Sequence, residues 1–188
     1  TRCIIYPKEY LLASMKELKY LRKQQYDYHR EKFPYLFDFI RNPYSFLKAK
    51  FYMEFSAILV YFLLKTTIKP NTVTIFYCLA GIATGILLSI PNDYTILIAL
   101  GIAFTKGILD WSDGHFARVT EQTSFTGHIL DVYGAFLNSV GLQIGLGLYV
   151  AANIDNLIFY YLVPLLLFFR LCNLSLFSKE IIFDAISH

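Results

Sequence analysis

Charge is scarce in this chain. Asp, Glu, Lys and Arg make up 16% of its 188 residues, against about a quarter in an ordinary soluble domain. Cysteine is scarce too. Cys3, Cys78 and Cys172 are odd in number and show no C-x2-C spacing, which argues against a disulfide framework or a zinc site. The first forty residues are charged and tyrosine-rich, unlike a signal peptide. The chain opens on Thr1 rather than Met, as expected of a trimmed or partial product. What is abundant is apolar: 56% of the residues are hydrophobic and 18% aromatic. Long apolar runs with so little charge predict one all-α domain, a polytopic membrane helical bundle.

The basic residues are unevenly spread. Thirteen of the 17 Lys and Arg lie between Arg2 and Lys69, and the others are Lys106, Arg118, Arg170 and Lys179. The bland reading is a solvated basic surface at a membrane. Nucleic acid is not an expected partner, because acids and tyrosines interrupt the basic residues and no known binding module is visible.

Residues 1–41 read as a cytoplasmic helical extension. Leu11, Leu12, Met15, Leu18 and Leu21 recur at helical spacing with Lys16, Lys19, Arg22 and Lys23 between them, as in an amphipathic helix on a membrane or protein surface. Pro34 and Pro43 punctuate the stretch after it. Residues 42–188 read as the membrane-embedded domain. Within it, residues 44–66 form a helix whose uncharged stretch, Phe55 to Leu64, is short of the ~20 residues that cross a bilayer; an interfacial amphipathic helix fits better. Spans are predicted at 72–90, 95–118, 126–151 and 157–173, with turns at 91–94 and at Asn153 to Asn156 and a polar loop at 119–125. Gly81 with Gly85, and Gly141 with Gly145, form G-x3-G pairs that allow close helix approach.

The turns at 91–94 and 152–156 contain no Lys or Arg, so the positive-inside rule places the opposite ends in the cytoplasm. One polar run lies at that face. From Asp110 to Ala135 the chain reads DWSDGHFARVTEQTSFTGHILDVYGA. Charged groups at membrane depth are costly and mark a functional site by default. Asp110 and Asp113 are one helical turn apart and share a face that Ala117 continues; Gly127, Asp131 and Ala135 share a face of the next helix. A short loop makes the two helices antiparallel, so the three carboxylates are expected to converge. Packed carboxylates repel unless cations neutralise them, and hard oxygen ligands suit Mg2+, Mn2+ or Ca2+ rather than zinc. Gly114 and Ala117 clear space, and Arg118 offers a charge-assisted fork for phosphate. These groups point to metal-assisted phosphoryl transfer.

Blander readings stand beside this one. Asp-Gly is a common turn signal, and a single Asp at a helix end is usually a cap. The run is not an EF-hand loop, since the alternate acids and the final Glu are missing. His115 and His128 lie off the acid faces and read as interfacial histidines. Lys106, one turn before Asp110, is placed to pair with an acid, meet a lipid head group or snorkel to the interface.

Written as a pattern, the run is D-x2-D-G-x2-A-R-x8-G-x3-D-x3-A. It resembles the signature of the CDP-alcohol phosphatidyltransferase family, in which the last position is a fourth aspartate. The resemblance covers about residues 42–173. It implies a membrane enzyme, typically of six spans, that moves a substituted phosphate from a CDP-linked lipid or CDP-alcohol donor to an alcohol acceptor and releases CMP in phospholipid biosynthesis. It also implies membrane lipids as partners and commonly a homodimer. By resemblance, Asp110, Asp113 and Asp131 would hold two ions, Mg2+ or Mn2+. Gly114 and Arg118 would contact the CDP moiety, with Ala117 and Gly127 lining the site. Ser124 stands where the family often has a hydroxyl near the nucleotide, and Asn71 to Thr74 resembles the family's segment at the start of its first span.

Two departures matter. Ala135 stands where the family has its general base and a metal-holding carboxylate. A methyl group accepts no proton, and loss of a general base costs about 10²–10⁴-fold; one of the two ions would be weakened as well. Either an engineered change traps a substrate complex or a degenerate homologue has lost its base, and the persistence of the other signature residues points to the first. The second departure is length, since only four spans are visible and a C-terminal part is expected to be missing. The rival expectations are a non-catalytic membrane binding or scaffold homologue that keeps a nucleotide-metal site, and a cation transporter. The transporter fits less well, because such sites lie near the bilayer midplane in repeated halves.

Overall fold

Helices begin where the sequence supplies a start signal. The computed structural model describes residues 14–154, 157–158, 160–165 and 167–169, and among them there is no strand. Helix α1 spans Ser14–Lys32, with Glu17 in its first turn and His29, Arg30 and Lys32 in its last, the charge order that complements a helix dipole. A 3-10 turn, Pro34–Phe37, comes next. Helix α2, Pro43–Leu63, has Pro43 in its first turn, where a missing N–H costs nothing. Helix α3, Pro70–Leu88, opens on proline too. Helix α4 is Asp93–Val119 and α5 is Phe125–Ile154. Asn92 caps α4, its Oδ1 accepting the Tyr94 N–H at 2.9 Å. Helices α3, α4 and α5 are long and apolar enough to cross a membrane, and a shorter apolar helix occupies Tyr160–Phe169.

These elements match the expected segments closely, with three corrections. Asn153 and Ile154 are the end of α5 rather than part of a turn. The packed face expected of α1 as an amphipathic helix is only partly apolar. Leu21, Gln25 and His29, four residues apart, form a buried stripe, and two of the three are polar. His115 is 1% exposed rather than interfacial. Leu11, Leu12, Cys3, Cys172, Arg170, Lys179, Asn156 of the expected turn and residues 159, 166 and 170–173 of the fourth expected span lie outside the described residues.

The chain divides into two compact units. The first holds the residues up to Val73 together with Ile108–Thr123. Its core joins Leu21 of α1, Ala57, Val60 and Leu63 of α2, Val73 of α3 and Phe116 of α4. Leu18, Leu59, Leu109 and Val119 pack around it. On α2 the buried Ala49, Met53, Ser56, Ala57, Val60 and Leu63 recur every three or four residues, so this helix has one packed face. An ion pair between Arg22 and Glu54 (2.7 Å) ties α1 to α2 at the half-exposed margin.

The second unit holds Thr74–Gly107 and the residues from Ser124 on. Its helices meet backbone to backbone. A methyl group added to Gly85 would stand 2.8 Å from the Gly141 carbonyl oxygen, and one on Gly145 would stand 2.7 Å from that of Gly85. One added to Gly141 would collide with the Gly81 carbonyl. The two G-x3-G pairs therefore pack against each other across α3 and α5. The seam runs further than the sequence pattern suggested. Gly134 faces the Tyr77 ring, and Asn138 lies against Gly81. The buried Asn138 amide donates to the carbonyls of Tyr77 and Gly134, both at 2.9 Å.

Candidate functional site

Asp110, Asp113, Gly114, Ala117 and Arg118 lie in the first unit, on the last third of α4. Here α4 is uninterrupted helix, so the DG pair is not a turn and the i, i+3, i+7 spacing sets Asp110, Asp113 and Ala117 on one face. Asp113 is buried, and its Oδ1 accepts the Gly114 N–H at 2.6 Å. Asp110 stands within electrostatic reach of Tyr52 on α2. The Tyr52 hydroxyl is pushed above its ordinary range, first by burial, then by Tyr44 and the Asp110 carboxylate. A negative carboxylate opposes formation of a nearby phenolate.

Arg118 is the most constrained of these residues. Its Nη2 donates to Gln25 Oε1 at 3.0 Å, and its guanidinium lies 3.7 Å from the centre of the Tyr28 ring. Tyr28 and Asp113 interact with it electrostatically as well. Gly114 makes room for this pose: a methyl group there would stand 3.2 Å from Arg118 Nη1. The space that Gly114 was expected to leave for a ligand is bordered by the arginine itself.

Gln25, the partner of Arg118, is 0% exposed. Its Nε2 donates to Ser56 Oγ at 3.4 Å and to the Trp111 carbonyl at 3.3 Å; Ser56 Oγ donates to the same carbonyl at 2.9 Å. His29 stacks on Trp111 with ring centres 4.6 Å apart and planes 6° from parallel, and its Nδ1–H donates to the Gln25 carbonyl at 2.8 Å. Burial lowers the His29 pKa, the hydrogen bond to Gln25 opposes that in part, and the Arg118 charge lowers it again. Gln25, Tyr28, His29 and Ser56 were missed by sequence reasoning. For Gln25 and His29 the available signal was a four-residue register with Leu21, which placed polar side chains on a helix's buried face; Tyr28 and Ser56 gave no such signal. His115, whose ring nitrogens find no hydrogen-bond partner, also lies in this unit.

The remaining expected site residues divide between the units. Asn71 is in the first turn of α3, in the first unit, and the buried Thr74 begins the second. Ser124 caps α5, its Oγ accepting the Gly127 N–H at 3.0 Å, the usual role of a serine just before a helix. Asp131 and Ala135 come later on α5, with Ala135 exposed. Lys106 donates from Nζ to the Asn138 carbonyl at 3.4 Å, an interhelical contact that is none of the three roles expected of it. Among the described residues no group of three or more His, Cys, Asp and Glu side chains stands close enough together to hold a metal ion. Asp110, Asp113 and Asp131 each carry carboxylate oxygens, the hard donors that cations such as Mg2+ take.

Long apolar helices, with acids and an arginine concentrated at the end of one of them, define an integral membrane protein with a polar site. The family model for CDP-alcohol phosphatidyltransferases matches residues 67–178, more than half of the chain. The chain belongs to the CDP-alcohol phosphatidyltransferase family, whose reaction is phosphatidyl transfer from a CDP-alcohol in phospholipid synthesis. Comparisons with curated proteins and with solved structures returned no match. Helices α1 and α2 precede the matched region.

Proposed function

We propose that this chain binds a CDP-linked donor at the end of α4, and that it is built to transfer the donor's substituted phosphate to an alcohol with release of CMP. The observation that carries the reading is the family match together with the signature residues Asp110, Asp113, Gly114, Ala117, Arg118, Gly127 and Asp131, the last aspartate alone being replaced, by Ala135. Asp110, Asp113 and Asp131 would hold Mg2+ or Mn2+, which when bound would supply charge neutralisation at the pyrophosphate. Arg118 supplies a fixed cation and directed N–H donors for phosphate oxygens. Asn71, Thr74 and Ser124 are proposed to line the nucleotide pocket, with Ser124 doing so through a hydroxyl that already caps α5. The site faces the cytoplasm, as the basic bias of the N-terminal region supports, and the protein works as a homodimer.

In this reading Ala135 limits turnover, because it can take no proton from the acceptor alcohol. The decisive experiment restores the acid. Ala135→Asp is expected to raise divalent-metal-dependent CMP release from CDP-diacylglycerol, across a panel of polyol, amino-alcohol and sugar-phosphate acceptors, by about 10²–10⁴-fold. No release and no donor binding would refute the assignment. Donor binding without release in Ala135→Asp would favour the second reading, a binding or scaffold homologue, which Ala135 itself motivates.

A further inference from the structure

We infer that α1, which lies before the family-matched region, is part of the donor site: Gln25 and Tyr28 are positioning residues that aim Arg118 at the pyrophosphate. This rests on the proposed donor-binding role of Arg118. An arginine side chain has about 2 kcal/mol of rotamer entropy to lose on ordering, and prior immobilisation lowers what binding must offset. Two contacts immobilise this one. Gln25 Oε1 accepts from Nη2 at 3.0 Å, and the Tyr28 ring lies against the guanidinium face at 3.7 Å. An acceptor at one edge and a ring on one face together fix the plane of the fork.

Gln25 is itself held rigidly enough to act as such a reference. Its Nε2 reaches both Ser56 Oγ and the Trp111 carbonyl. Those bonds assign the amide orientation, because only the NH2 end can donate to a carbonyl. The Oε1 end is thereby turned toward Arg118. His29, one turn on, stacks on the same Trp111 and so fixes α1 against α4.

The Gln25 contact orients the arginine without blocking it, since an amide oxygen is neutral and occupies one of five N–H donors. Of α1, the neutral Gln25 and Tyr28 touch the guanidinium rather than the acids Glu17, Asp27 and Glu31. The carboxylate that acts on it electrostatically is Asp113 of α4.

The test measures binding, so it does not depend on turnover. Purified full-length protein in nanodiscs, with Mg2+, is titrated with CDP and with cytidine. Gln25→Ala and Tyr28→Leu are each expected to weaken CDP roughly tenfold, about the worth of one hydrogen bond to a charged group, with cytidine affinity unchanged. Arg118→Ala should weaken CDP at least as much, and adding Gln25→Ala to it should cause no further loss, since both act through one contact. Equal weakening of CDP and cytidine by Gln25→Ala would mean general loosening and would overturn the inference. So would undiminished CDP binding in Gln25→Ala alongside a loss in Arg118→Ala. If the unmutated protein fails to bind CDP, the donor-site reading falls and takes the inference with it. Should Gln25→Ala not fold, Tyr28→Leu at its half-buried position is judged by the same criteria.

Discussion

Arg118 shows what a single residue needs before it can serve a site at a membrane surface. It needs space, which Gly114 gives, and fixed neighbours, which Gln25 and Tyr28 give. Gly114→Val is therefore expected to displace the guanidinium and weaken CDP binding while leaving helix content unchanged by circular dichroism. His29 makes a second residue-scale prediction. Its folded pKa lies below the ordinary 6.5 because burial and Arg118 disfavour the imidazolium. Above pH 6.5 the ring is neutral both folded and unfolded, and the packing it makes is intact. Below that, the unfolded chain takes up a proton the folded one resists, so stability falls as pH drops toward the folded pKa. Thermal melting in detergent from pH 7.5 to 5 should show this fall, and His29→Gln should lessen it, the buried His115 contributing the rest. Unchanged pH dependence in His29→Gln would remove His29 as its source.

Helix α5 carries the seam that holds the second unit, and its residues sort by what they meet. Gly134, Asn138, Gly141 and Gly145 recur at three- and four-residue intervals along one stripe. At Gly85 and Gly141 the neighbours are backbone atoms, which cannot swing aside as a side chain can. Gly85→Ala or Gly141→Ala should cost about 1–3 kcal/mol by overpacking, read as a lower melting temperature, whereas Gly101→Ala, which meets nothing within 4 Å, should not. The end of α4 offers a change in the other direction. Glu121 has φ 55°, in the left-handed region, and the Gln122 N–H bonds back to the Ala117 carbonyl at 2.9 Å. This is a helix-closing motif that favours glycine. Glu121→Gly is expected to stabilise the protein by about 1 kcal/mol, the cost of holding a side-chain-bearing residue in that region, read as a higher melting temperature.

At the scale of the whole molecule, three long apolar helices joined by short turns impose alternating sides. On a background lacking the native cysteines, Asn92→Cys and Thr123→Cys should be labelled by a membrane-impermeant maleimide from opposite faces, Thr123 from the cytoplasm. Labelling of both from one face would refute the proposed topology. The helices and their ends were largely legible in the sequence, because apolar length, prolines and polar turns are local signals. The candidate site was visible only as residue types at fixed spacing, on what are now α4 and α5. Its supports were not. Gln25 and Ser56 lie 86 and 55 residues before the Trp111 carbonyl they reach, and no local periodicity encodes such a meeting.

The sequence by itself determined the class of this protein: apolar runs too costly to leave in water, broken by short polar turns, with carboxylates and one arginine at helical spacing. The tertiary structure alone decided that a polar stripe on α1 becomes buried and that its glutamine points an acceptor at Arg118. It also decided that an asparagine completes the glycine seam. Helical spacing is a property of neighbouring residues along the chain. Which helix face covers which depends on how whole side chains pack, and on where buried donors must find acceptors among residues far away in sequence.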